Sequence, residues 1–292
     1  MGRGDLTSDE WDRLKPHLPR SGQRGGCWNS HRTVLNGILY RQRTGAPWRD
    51  LPARFGKWKT VYERQRRWSA DGTWDTILAV VQADADVDGR IDWSMVSVDS
   101  TSCRAHQHAA GARKRPPRVP GKRCTPQQHR PDEGLGRSRG GPTCKIHLAG
   151  ERGRRPLAFL LTPGQWGDAP QLIPVMERIR VARQGGGHPR TRPDHLGGDK
   201  AYSSRRIRRY LRRRQIKHTI PEPKDQRANR PRRGSSGGRP TAFDKTIYKR
   251  RNEVERTINA LKNFRALATR YDKHAYVFHG TVTVAALRLW LR

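Results

Sequence analysis

The 292-residue chain carries 61 Lys and Arg against 26 Asp and Glu, a formal charge of +35 that points to a polyanion and away from small neutral substrates. No run approaches the ~18 apolar residues of a spanning helix, residues 1–10 are too polar for a signal peptide, and the four Cys include no CxxC pair, so a reduced, cytoplasmic, nucleoid-associated protein with no membrane contact is expected. Leu, Ile, Val and Phe supply only 50 residues, 17%, a fraction typical of disorder, yet they fall in periodic segments and nine Trp add large buried area.

Residues 1–88 read as an all-α, helix-turn-helix-like domain. Thr7-x-x-Glu10 is a capping-box pattern that opens a helix with Trp11, Leu14 and Leu18 at helical spacing. A second helix runs over residues 30–43, with Val34 and Ile38 inward and Leu35 and Leu39 less regularly so. The stretch 44–52 is a connector. A third helix over 57–69 presents Lys59, Arg64 and Arg67 to solvent, and a fourth spans 73–83. This outline fits a DNA reader, which the overall charge favours over a small helical bundle with a solvated basic face.

The period changes from Ile91. Met95-Val96-Ser97-Val98-Asp99 is a short strand ending in an acid. Residues 102–142, rich in Arg, Gly and Pro, read as a mobile basic loop. Strands at 143–149 and 156–162 form a hairpin. Asp168 is placed to cap a helix over 169–183. His195-Leu196-Gly197-Gly198-Asp199 is a second strand ending in an acid. A helix over 203–214 has a narrow apolar stripe of Ile207, Tyr210 and Leu211, with Arg208, Arg209 and Arg212 expected along a DNA backbone. A short strand at 217–221, a basic insert at 221–243, a helix over 244–265 and a closing helix over 279–291 complete the chain. A helical region followed by strands mixed with helices gives an α/β or α+β domain, residues 89–292, with one central sheet.

On the 244–265 helix, Tyr248, Arg251 and Lys262 fall within about 40° of Glu255 at 100° per residue. Glu255 is expected on the shoulder of the apolar stripe, as a rigid, partly desolvated metal ligand. An Arg251–Glu255 i, i+4 salt bridge on a solvated face is the plainer reading of the same spacing. Asp99 and Asp199 at two strand ends shift the balance. With Glu255 they form a set of hard oxygen ligands suited to two Mg²⁺ ions and to phosphodiester displacement.

At this point the chain resembles DDE transposases of bacterial insertion sequences of the family four and five type. Val98-Asp99-Ser100-Thr101, Gly198-Asp199-Lys200-Ala201-Tyr202 and Tyr248-x2-Arg251-x3-Glu255-x6-Lys262 carry the resemblance, with support from residues 44–52 and from Arg137-Ser138-Arg139-Gly140-Gly141 followed by 143–148. The resemblance spans about residues 6–290. It implies an RNase H-like catalytic domain with a mixed sheet flanked by helices, and Asp99, Asp199 and Glu255 as a triad holding two Mg²⁺, with Mn²⁺ as a substitute. It implies that Tyr248, Arg251, Lys262 and Lys200 contact DNA, and that a homodimer binds double-stranded transposon ends and target DNA, nicks the ends and joins the 3′-hydroxyls. Some relatives stack a flipped base on a Trp between the second aspartate and the glutamate. Residues 200–254 here hold none, and Trp166 lies earlier in a loop.

Two other classes compete. Cys103-x2-His106 and Cys144-x2-His147, with His108, Cys124 and His129 nearby, offer zinc ligands. Residues 144 and 147, an odd number apart in a strand, would however face opposite sides. A non-catalytic basic nucleic-acid-binding protein would explain the charge and leave the acids and the 248–262 spacing unexplained. A nuclease that cleaves without joining is the nearer alternative.

Overall fold

A computed structural model describes residues 2–20, 27–111 and 130–292. Four helices come first: α1 (Ser8–Leu14), α2 (His31–Thr44), α3 (Trp58–Ala70) and α4 (Thr73–Val87). The Thr7 hydroxyl accepts the Glu10 N–H at 3.2 Å and the Glu10 carboxylate accepts the Thr7 N–H at 2.8 Å, so the capping box forms as the spacing predicts. α2 stops at Gly45, whose φ of +72° is the left-handed cap that a side chain would strain. The connector to α3 spans residues 45–57 and holds two 3₁₀ turns, Trp48–Asp50 and Ala53–Phe55, where a compact helix-turn-helix uses three or four residues. α3 and α4 are joined only by Asp71 and Gly72.

The sheet follows: β1 (Val96–Ala105), α5 (Gln107–Ala110), β2 (Gly136–Ser138), β3 (Gly141–Glu151) and β4 (Arg155–Pro163). Then come α6 (Leu172–Glu177), β5 (His195–Gly198), α7 (Arg205–Arg213), β6 (Lys217–Thr219) and α8 (Lys224–Arg232). The remainder is α9 (Lys245–Lys249), α10 (Asn252–Lys262), α11 (Arg265–Ala268), β7 (Thr269–Arg270) and α12 (Ala275–Trp290). β1, β3 and β4 form an antiparallel meander, and β5 and β6 extend it in parallel from β1. β2 pairs with the start of β3, and β7 with the end of β1. This mixed sheet with helices around it is RNase H-like.

Several boundaries depart from the sequence reading. The first strand does not end at Asp99 but continues to Ala105, because Thr101 and Cys103 face the core while Ser102 and Arg104 face out. That period of two is carried by small and polar residues, so it looks like loop by composition. The span 102–142 therefore holds the end of β1, α5, β2 and the start of β3; residues 112–129, with Cys124 and His129, lie outside the described residues. The helix expected over 169–183 shortens to a 3₁₀ turn and α6. The 221–243 insert contains α8 and a 3₁₀ turn, Gly234–Gly237. The 244–265 helix is broken into α9 and α10, since Arg250, Arg251, Glu253 and Val254 all donate to carbonyls three residues back.

All 16 residues of α12 are buried. It packs against α2, α3 and α4, and also against β4, α10 and α11. Gln42 donates to the Thr281 carbonyl at 3.1 Å, and the Trp290 indole donates to that of Pro156 at 2.9 Å. A Cβ on Gly280 would stand 2.7 Å from the Ser69 Cβ, so α12 and α3 touch almost backbone to backbone. One hydrophobic cluster, with Trp68, Trp74, Trp93 and Trp290 in it, runs from the helical region into the sheet. Few but large side chains thus build a core that the aliphatic count understates. No helix among the described residues is long and apolar enough to cross a membrane.

Candidate active site

β1 and β5 run parallel with Val98 opposite Gly198, so Asp99 and Asp199 are neighbours where β5 ends. Asp99 Oδ1 accepts the Ser100 N–H at 2.8 Å, and Asp199 Oδ1 accepts the Ala201 N–H at 2.9 Å. α10 lies across β1 and β3 and brings Glu255 to the same end. Arg251 connects them. Its guanidinium donates to Glu255 Oε1 at 2.8 and 2.9 Å and stands 3.5 Å from Asp99 Oδ2. It also lies 5.8 Å from the Tyr248 ring centre. Burial raises the Asp99 pKa, the Ser100 N–H and Arg251 pull it down, and the charges of Asp199 and Glu255 push it up again; the net shift is upward. Asp99 therefore feels both other acids.

Glu255 departs from its expected setting. Its side chain is 49% exposed, because Thr257 joins Val254, Ile258 and Leu261 on the buried face. That face is centred about 110° from Glu255 at 100° per residue. Arg251 holds the carboxylate in place, so the salt bridge and the approach to Asp99 exist together. Among the described residues, no three His, Cys, Asp or Glu side chains converge closely enough to share an ion. Lys262 is exposed and lies seven residues beyond Glu255 on α10, about 10 Å of helix rise.

The basic residues divide by burial. Lys59, Arg67, Lys200, Arg209 and Arg212 are exposed, as a phosphate contact requires. Arg64 is not: it is 7% exposed, lies over the rings of Trp28 and Trp68 at 4.3 and 5.1 Å, and bonds His31 Nδ1 at 2.8 Å. Burial and the Arg67 charge lower its pKa to about 10. It packs the helical region and is withdrawn from any DNA face. Arg208 is half-buried, donating to Ser203 Oγ and the Ile220 carbonyl at 3.0 Å each, and so pins α7 to the segment after β6.

Sequence reasoning missed a second polar group behind β1. Asp168 does not cap a helix with its side chain. It accepts the Ser100 hydroxyl at 2.8 Å and the Lys145 ammonium at 3.0 Å. Burial raises the Tyr202 pKa, and the charges of Asp99, Asp168 and Asp199 all raise it further, so this fourth acid belongs to the same electrostatic cluster. No local pattern links positions 100, 145 and 168. Trp166 beside it is 41% exposed, with the Arg130 guanidinium 5.2 Å from its ring.

His147 Nε2 bonds Thr162 Oγ1 at 2.8 Å, while Nδ1 is 3.6 Å from Asp168, too far for a hydrogen bond. Burial holds its pKa down at about 4. Below pH ~6.5 the unfolded chain takes up a proton that the folded chain refuses until about pH 4. Stability is therefore lost across that window, by about 2–3 kcal/mol between pH 7 and pH 4.5. Urea denaturation at both pH values should show this loss in the wild type and its absence in His147→Gln. Cys144 and His147 do face opposite ways: Cys144 meets Cys103 across the β1–β3 pair, and His106 meets His108 edge-on and the Tyr271 ring at a tilt.

The chain matches two family models: one for a putative transposase of the IS4/5 family, over residues 6–78, and one for the transposase DDE domain, over residues 94–290. It is 42% identical over 111 residues to the uncharacterized protein y4sN of Sinorhizobium fredii, covering 37% of this chain and 83% of that one. It is 33% identical over 139 residues to a putative transposase for insertion sequence element IS402 of Burkholderia cepacia, covering 48% of this chain and 58% of that one. It is 31% identical over 150 residues to a putative transposase for insertion sequence element IS6501 of Brucella ovis, covering 51% of this chain and 99% of that one. The DDE-domain match takes in the whole sheet, the three acids and α12, and the chain belongs to this family of transposases.

Proposed function

We propose that the chain binds the terminal inverted repeats of its insertion sequence, cleaves the ends by metal-dependent hydrolysis and joins the freed 3′-hydroxyls to target DNA. The supporting observation is that Asp199 and Glu255 both raise the Asp99 pKa while Arg251 contacts two of the three acids, in a chain of charge +35. Three like charges from two strand ends and one helix are a cost that a cation relieves. Their hard oxygens suit Mg²⁺, with Mn²⁺ as a substitute. Asp99, Asp199 and Glu255 would hold the ions. Two such ions supply activation of the attacking oxygen and stabilisation of the leaving one.

The chain's own groups do the rest. Arg251 is placed to turn from the carboxylates to a phosphate, the ligand its fork fits in two-point geometry. Lys200, next to Asp199, and Arg209 and Arg212 on α7 would add phosphate contacts, and Lys59 and Arg67 on α3 would add contacts from the helical region. Water attack at the end breaks the P–O3′ bond and leaves a 3′-hydroxyl. That hydroxyl then attacks a target phosphodiester, one P–O bond replacing another, so joining needs no outside energy source. A homodimer would hold two ends at once.

The test uses labelled duplexes with the flanking repeats, in Mg²⁺, Mn²⁺ or Ca²⁺, with Glu255→Gln beside the wild type. The expected result is nicking at the repeat end that needs Mg²⁺ or Mn²⁺ and is lost in the variant, followed by joined products. Nicking without joining would make the protein a nuclease. Repeat binding without cleavage in any metal would remove the chemistry from the proposal.

A further inference from the structure

A cavity of about 1220 Å³ opens between α7 and the α8 segment, with β6 among its lining. α7 contributes Arg205, Arg208 and Arg212, and the segment from α8 onward contributes Arg230, Arg233 and Arg239. Cations therefore line both walls. Arg208 is tied to the backbone and Arg230 is paired with Glu222. Arg205, Arg212, Arg233 and Arg239 have no acidic partner among the described residues. Arg233 and Arg239 are exposed, and Gly237 approaches the Arg230 carbonyl so closely that a Cβ there would stand 2.1 Å from it. The second wall is thus a closed turn that holds its arginines opposite α7.

At the mouth stands Phe243, 40% exposed. Its ring centre lies 5.1 Å from that of Tyr248. Tyr248 is in turn 5.8 Å from the guanidinium of Arg251, which bonds Glu255 and reaches Asp99. The cleft and the acids are joined through three consecutive contacts.

We propose that this cleft binds single-stranded DNA, a short run of nucleotides whose path leads past Phe243 to the acids. A duplex is a rigid cylinder with phosphates outside, and it meets a surface. A single strand passes between two basic walls and stacks a base on an exposed ring. One drug-sized ligand fills about 300–1,000 Å³. The cleft has room for a few nucleotides and none for a turn of duplex. The inference takes from the proposed function only the identity of the ligand as DNA.

The experiment is fluorescence anisotropy in Ca²⁺ with labelled oligothymidylate of about 12 residues and a duplex of equal length. The proteins are wild type, the combined Arg205→Ala, Arg233→Ala and Arg239→Ala variant, Phe243→Ala and Phe243→Trp. Thermal melting checks that each is folded. The triple variant should lose at least tenfold in single-strand affinity, its log–log salt slope falling by about 2, with duplex binding within twofold of wild type. Phe243→Ala should lose at least fivefold on the single strand, and Phe243→Trp should restore it. Equal losses on both DNAs, or no loss on either, would overturn the proposal. Groove variants that lose strand binding in a protein that cleaves nothing would leave the cleft standing and sink the transposition chemistry. Metal-dependent cleavage with strand binding untouched by the groove variants would do the reverse.

Discussion

Asp99→Asn lowers metal-dependent cleavage at the repeat end by about a thousandfold or more and leaves duplex affinity unchanged or higher. Losing one anionic ligand from a set of three removes several kcal/mol of charge stabilisation in the reaction, and each 1.36 kcal/mol is tenfold in rate. The amide keeps the shape, and its oxygen can still accept the Ser100 N–H. The fold does not suffer. Because the Asp99 pKa is raised, its charge is a burden on the folded state at neutral pH, and the variant should melt at the same temperature or above. The wild type gains on the variant as pH falls through the raised value, where Asp99 takes its proton. Unchanged cleavage would remove Asp99 from the triad.

Arg270→Met destabilises the protein by about 3–5 kcal/mol and lowers Tm by about 5–8 °C. Arg270 is fully buried and forms no ion pair among the described residues. It donates to the carbonyls of Asp272 at 2.9 Å, Glu133 at 2.8 Å and Lys273 at 3.0 Å, and lies 5.0 Å from the Phe278 ring. Met fills the volume of the stem and strands three carbonyls in the core. These carbonyls tie the turn before β2 and the entry to α12 onto β7. The same entry holds the buried Arg41–Asp272 pair at 3.2 Å, and Asp272 also accepts the Thr281 hydroxyl at 2.8 Å. Urea denaturation compares the two proteins; a loss under about 1 kcal/mol would mean that the carbonyls find other partners.

What could be read from the sequence was local. The Thr7–Glu10 box, the β3–β4 hairpin and the α7 stripe are each written within one or two turns of chain. Asp99 and Asp199 were legible because each follows a short apolar run. Arginine defeated the reading. Arg64, Arg208 and Arg270 look the same as Arg209 and Arg212 in sequence, yet the first three are held by rings or carbonyls far along the chain. Asp168 was hidden for the same reason, since Ser100 is 68 positions away. Glu255 is more exposed than its spacing predicts because Thr257, polar in sequence, is fully buried and turns the inward face of α10 further from it.

The burial of α12 against both the early helices and the sheet has a consequence for synthesis. The helices before residue 88 emerge from the ribosome about 10–40 s ahead of residues 275–290 at ordinary translation rates. Until then Trp68, Trp74 and Val81 lack the partner that covers them. The proposed DNA-reading face and the acids therefore mature in one step, and a product cut short before Ala275 would have neither.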